Sequence, residues 1–161
     1  MIKLNLACAS NIKDGYINID LHPEDYPGLP IIAANALALP FRDRSIDEIY
    51  MSHFLEHLDY MEADLGIREW RRVLKIGGKI KLIVPDMEVI AKGWLNEESI
   101  HRKMFFWRGA IYGSFRGQEQ YHKSAWDKIM LENFLRHFKF RDIVLSYDTE
   151  WNFWLIAEGV R

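Results

Sequence analysis

The stretch SHFLEH, residues 52–57, sets two histidines four positions apart around a glutamate. His53, Glu56 and His57 thus read as H-x-x-E-H, a pattern in which two imidazoles on one helical face can chelate zinc while the carboxylate serves as a base. Here the pattern directly follows an apolar run of strand length, and no third ligand is evident on a second helix. The sequence alone therefore assigns no metal. Asp20, Asn35 and Asp86 are further polar groups that close strand-like runs, and His122 stands in a late aromatic segment. His53, Asp86 and His122 can each exchange a proton with a hydroxyl group. In LACAS, Ala7, Cys8 and Ala9 follow an apolar run with the smallest side chains available. Such a turn suits close approach of a ligand, yet it lacks glycine, the residue most permissive there.

These groups need elements to hold them. Apolar runs at Lys3 to Cys8, Tyr16 to Leu21, Pro30 to Asn35, Ile46 to His53 and Lys79 to Pro85 read as strands. Between the fourth and fifth, Ala63, Ile67, Trp70 and Leu74 recur at helical spacing, with basic residues at the C-terminal end and Gly77 and Gly78 as the expected stop. Ser124 and Asp127 resemble a capping box for a helix carrying Trp126, Ile129, Phe134 and Phe138. Two closing runs, RDIVLSYD and WNFWLIAEGV, joined by a turn near Thr149, read as an antiparallel pair. This alternation predicts an α/β fold with a doubly wound, mostly parallel sheet, whose ligands bind beyond the carboxyl ends of the strands.

The 161 residues suit one domain, residues 1–161, with 92–125 as an insertion or lid on the substrate side. A net charge of −2 gives no bulk electrostatic reason to expect nucleic acid, although Arg102, Arg108 and Arg116 interleave with aromatic residues as in single-strand binders. Cys8 is the sole cysteine, so no internal disulfide forms and a reducing, cytoplasmic setting is expected. No apolar run approaches the ~18 residues needed to cross a bilayer, and neither a signal peptide nor a membrane partner is expected.

The order LNLACASN, GYINIDL, ANALALPFRDRSIDEIYMSHFLEHL, EWRRVLKIGGKIKLIVPD, followed by IYGS and HKSAWD, resembles the class I S-adenosylmethionine-dependent methyltransferases, in particular the small type 11 group. The resemblance implies a Rossmann-like methyltransferase fold: a mostly parallel seven-stranded sheet with an antiparallel C-terminal hairpin. It also implies S-adenosylmethionine as cofactor. Asp20 would then hold the ribose hydroxyls and Asn35 the adenine amino group, with Leu21, Ala36 and Leu37 against the adenosine. Ala7, Cys8, Ala9, Ser52, His53 and His57 would surround the methionine part. Tyr112, Tyr121, His122 and Trp126 fall where substrate is recognised, and His53, Asp86 and His122 are the candidate bases for a hydroxyl acceptor. The implied activity is methyl transfer to a small-molecule or glycan-like acceptor.

Two departures bear on this expectation. Alanines stand at positions 7 and 9, where family members carry glycine, and a left-handed conformation there would cost roughly 1–2 kcal/mol per residue. Only six residues separate Ala9 from Tyr16, spanning ~9 Å as helix or ~20 Å extended, against ~17 Å of return travel along the strand. The first crossover helix is therefore expected to be shortened or absent. An open flank there leaves room for a partner subunit, a homo-oligomer included. A methyltransferase-like binding or scaffolding protein with an altered cofactor loop is the alternative that the same motifs allow.

Overall fold

The computed structural model describes residues 1–114, 120–148 and 154–161. Seven strands form one sheet: β1 (Lys3–Leu6), β2 (Ile17–Asp20), β3 (Ile31–Ala33), β4 (Ile46–Ser52), β5 (Leu74–Pro85), β6 (Arg141–Tyr147) and β7 (Trp154–Val160). Their spatial order is β3-β2-β1-β4-β5-β7-β6, parallel as far as β5, with β7 antiparallel to both its neighbours. Order reverses between β1 and β4, so the crevice beyond their carboxyl ends is the expected ligand position. The turn expected near Thr149 and the side chain of Arg116 lie outside the described residues.

Strand register divides the sheet into two unlike faces. Ile19, Leu6, Met51, Leu82, Ala157 and Leu145 stand side by side across six strands, all but Leu145 fully buried. The adjacent row is Asn18, Asn5, Tyr50, Lys81, Glu158 and Val144. On that second face Lys3 pairs with Glu48 at 3.2 Å, Lys81 with Glu158 at 2.7 Å, and the Lys13 ammonium sits 4.2 Å from the centre of the Tyr50 ring. The alternation KIKL at 79–82 is the sequence trace of this one-sided burial. A doubly wound sheet would instead read as continuous apolar runs.

Two helices, α1 (Tyr60–Val73) and α5 (Lys128–His137), supply apolar side chains to the core on the first face. Asp59 caps α1 by accepting from Met61 N and Glu62 N, while Glu62 returns a bond to Asp59 N at 2.9 Å. Ala63, Ile67 and Trp70 form the buried stripe of α1. This helix ends at Val73 because Leu74 is already extended and opens β5. Gly77 and Gly78 thus do not stop it; they lie inside β5, where the register jumps from Ile46–Leu74 to Glu48–Lys79 and Gly77 takes a φ of 81°. Asp127 alone caps α5, accepting from Met130 N at 2.8 Å, so the expected Ser124 capping box does not form. Trp126 precedes that helix and Phe138 follows it.

After β5 come α2 (Met87–Asn96), α3 (Ile100–Arg102) and α4 (Arg108–Tyr112); a π-helical turn, Lys103–Trp107, makes α3 and α4 one helical stretch. No described helix is long and apolar enough to cross a membrane.

The β1–β2 connection contains no helix. Buried side-chain amides hold it instead: Asn5 Nδ2 donates to Asn18 Oδ1 at 2.8 Å and to Asn11 O at 2.7 Å, and Lys13 N donates to Asn18 Oδ1 at 2.9 Å. Replacing Asn18 by Leu removes the acceptor of the buried Asn5 amide and of Lys13 N and should cost about 2 kcal/mol. Urea denaturation checks this, with unchanged stability excluding the amide pair as the brace of the loop.

Candidate functional site

A cavity of about 780 Å³ opens beyond the carboxyl ends of β1, β2 and β4, within the range of small-ligand sites. Ala7 and Ala9 line it with φ values of 49° and 44°, so both alanines take the left-handed conformation that glycine adopts more readily. Asp20 pins this loop: Oδ2 accepts from Ala9 N at 2.8 Å and Oδ1 from His22 N at 3.1 Å. Asp20, Leu21, His22 and Tyr26 continue the wall. Burial, reinforced by the Asp20 charge, raises the Tyr26 pKa, so its hydroxyl stays a proton donor at neutral pH. Cys8 stands outside the lining. Its amide continues the sheet by donating to Ile19 O, and burial followed by the Asp20 charge pushes its thiol up to about 11.

The segment after β3 forms a second wall with Asn35, Ala36 and Leu37. Helix α1 positions it. Trp70 Nε1 donates to Ala36 O at 2.9 Å, Glu69 accepts from Leu39 N at 2.7 Å, and Arg72 reaches Leu39 O, Phe41 O and Asp43. Gly66 permits the fit, since a Cβ there would lie 2.8 Å from the Trp70 ring and 2.9 Å from Leu37. Asn35 Oδ1 accepts from Leu37 N at 2.8 Å, closing a local turn and retaining one lone pair.

At the end of β4, His53 has a φ of 55° and its amide bonds Ile83 O at 2.9 Å. That turn delivers the 3-10 segment Leu55–His57 to the cavity, with His53, Phe54, Glu56 and His57 in the wall. His53 Nδ1 lies 3.2 Å from Glu56 Oε1. A distant strand of chain is tied to the same turn: Glu56 O accepts from Lys123 N at 2.8 Å and Ser124 N at 3.1 Å, and Ser124 Oγ donates to Leu55 O. These bonds bring His122 into the wall, where its ring centre is 5.0 Å from that of His57. Burial lowers the His122 pKa, with the neighbouring Glu56 carboxylate opposing the shift, so the ring is neutral at neutral pH.

Several expected site residues stand elsewhere. Asp86 is fully buried; it caps α2 by accepting from Glu88 N and Val89 N and accepts from the Tyr147 hydroxyl at 2.7 Å. Placed this way, it is a cap, not a base on the rim. Trp126 is buried against Tyr60 and Phe134 and donates to Ser124 Oγ, because the chain needs a large apolar plug ahead of α5. Ser52 still belongs to β4, paired with Ile83, and is not part of the lining. Tyr112 and Tyr121 expose their rings and act through their carbonyls, Tyr112 O accepting from His122 N and Tyr121 O bonding His57 Nδ1 at 3.1 Å. Phe106 from the π-helical turn and Lys123 complete the wall. Neither these nor His22 and Tyr26 carried a sequence signal beyond membership of an aromatic or turn-rich run.

Residues 8–82 match the family model described as a methyltransferase domain. Over 61 residues the chain is 38% identical to an uncharacterized protein of Methanocaldococcus jannaschii, the match covering 38% of this chain and 26% of that protein. Over 56 residues it is 39% identical to the ubiquinone/menaquinone biosynthesis C-methyltransferase UbiE of Stenotrophomonas maltophilia, covering 35% of this chain and 21% of the relative. The matches thus span about a quarter of the length of these curated relatives. Among solved structures, a methyltransferase from Archaeoglobus fulgidus superposes with a TM-score of 0.68 at 13% identity, covering 99% of this chain and 85% of that one. One from Methanosarcina mazei gives 0.65 at 19% identity, covering 99% and 91%. Both are described as S-adenosylmethionine-dependent, and at these identities they speak for the fold. The chain thus has the fold of S-adenosylmethionine-dependent methyltransferases, and residues 8–82 carry the match to the methyltransferase domain.

The wall fits that cofactor. Each Asp20 oxygen has accepted one amide and keeps capacity for another bond, Asn35 Oδ1 retains a lone pair, and Ala7 and Ala9 keep the β1 loop low. Two stability measurements test the local physics. Ala9→Gly should relieve left-handed strain for a net gain of about 0.5–1 kcal/mol, glycine's greater unfolded-state freedom offsetting part of it; a loss would mean that the alanine methyl is a packing contact. Tyr147→Phe should cost about 2 kcal/mol by depriving the buried Asp86 carboxylate of a donor, with ligand affinity unaltered. A change in affinity instead would return Asp86 to the site.

Proposed function

We propose that this protein transfers a methyl group from S-adenosylmethionine to a small-molecule or glycan-like acceptor in the cytoplasm. The observation that carries the reading is the Asp20 carboxylate at the end of β2. Backbone amides from Ala9 and His22 fix its orientation, and its remaining acceptor capacity faces the cavity that it lines. Two adjacent hydroxyls, as on a ribose, suit such a pre-oriented charged acceptor. Asn35 then serves the adenine amino group, Ala36 and Leu37 its ring, and the Ala7–Ala9 loop the methionine end. The single, buried Cys8 accords with a reducing compartment.

When bound, S-adenosylmethionine supplies an electrophilic methyl group on a sulfonium. The chain's own task is alignment, since holding the acceptor in line with that carbon supplies much of the rate. Residues 92–125 act as the substrate-side lid, with Phe106 and His122 in the wall. For a hydroxyl acceptor, His53 and His122 stand in the wall as the candidate bases that take the proton as the oxygen gains the methyl group.

Calorimetry with S-adenosylmethionine and its demethylated product tests the proposal. Both should bind, and Asp20→Asn should weaken binding tenfold or more, about 1.4 kcal/mol, with the fold intact. Equal affinity would remove Asp20 from the site. No binding by folded wild-type chain at millimolar ligand would overturn the enzyme reading in favour of a binding protein.

A further inference from the structure

The H-x-x-E-H pattern lacks a third ligand in sequence, and the fold supplies one. Glu56, His57 and His122 each offer a ligand atom, and these atoms lie within 4.8 Å of one another. We propose that these three residues bind a divalent transition-metal ion, zinc by preference, in the wall of the cavity.

Three observations carry this. First, Glu56 is 2% exposed, and its Oε2 has no hydrogen-bond partner among the described residues. A buried carboxylate oxygen left without a donor is costly unless a cation or a proton meets it. Second, Oε1 is engaged by His53 Nδ1 at 3.2 Å, which orients the carboxylate and leaves Oε2 for the ion. Third, His57 Nδ1 lies 3.1 Å from the Tyr121 carbonyl. A carbonyl can only accept, so Nδ1 carries the proton and Nε2 keeps its lone pair for a metal. Carbonyl-anchored imidazoles are the usual outer support of metal-bound histidine.

The donor set also decides the ion. Two imidazoles and one carboxylate suit zinc in tetrahedral geometry, and three protein ligands leave a fourth position for water or a ligand oxygen. With bonds near 2.1 Å, donors sit about 3.4 Å apart, so small side-chain rotations close the shell from the spacing observed. All three residues line the cavity, and the fourth position faces the same space.

The test is titration of chelator-treated full-length protein with zinc chloride, and with cobalt chloride as a spectroscopic probe. The expected result is uptake of a single ion per chain, with cobalt giving the visible absorption of a tetrahedral site. Glu56→Gln, which keeps shape and polarity, and His122→Ala should each weaken uptake tenfold or more. His101→Ala, on the exposed surface of α3, should leave it unchanged. Absence of uptake by the wild type at millimolar ion, or uptake indifferent to both substitutions, overturns the proposal. Should His122→Ala fail to fold, Glu56→Gln alone decides. The readout needs no S-adenosylmethionine, so its failure is separate from failure of the methyltransferase reading.

Discussion

Everything in this structure hangs on strand register. The row from Ile19 through Leu6, Met51, Leu82 and Ala157 is apolar without exception, and the neighbouring row from Asn18 to Lys81 and Glu158 is polar nearly throughout. A slip of one residue in any strand would exchange the two rows and place lysines beneath α1 and α5. With register fixed, the carboxyl ends of β1, β2 and β4 come level, and Ala9, Asp20 and His53 meet at one crevice.

The site is then assembled by bonds to main-chain groups. The Glu56 carbonyl collects two amides from residues 123 and 124, the Ala36 carbonyl takes the Trp70 indole, and Ala9 N is held by Asp20. Each such bond joins segments far apart in sequence. Their loss would splay the wall and reach into the core, because Ala36 and Leu58 belong to both.

How much of this was legible in the sequence follows from that division. Periodicity is local, so the strands, the buried stripe of α1 and the missing first crossover helix could all be read from spacing. Asp20, Asn35 and His53 were legible too, because a strand end is itself a local feature. Asp86 misled because a carboxyl at a strand end and an N-cap look the same until Tyr147, 61 residues later, is seen to bond it. The meeting of His122 with Glu56 was invisible for the same reason: nothing in HKSAWD announces that its amides will bond the 3-10 turn after β4. Gly77 and Gly78 read as a helix stop, whereas Leu74 had already turned extended and the glycines serve a register jump.

The alanines at 7 and 9 have a consequence for motion. A glycine loop samples many shapes, and its ligand must select one of them. Alanine in a left-handed conformation has few alternatives, and Asp20 removes more by holding the Ala9 amide. The energy of shaping this loop is met when the chain folds, so a ligand arriving at β1 meets a surface already still. Less ordering entropy is then lost on association, and what a glycine-rich turn achieves by yielding, this one achieves by waiting in place.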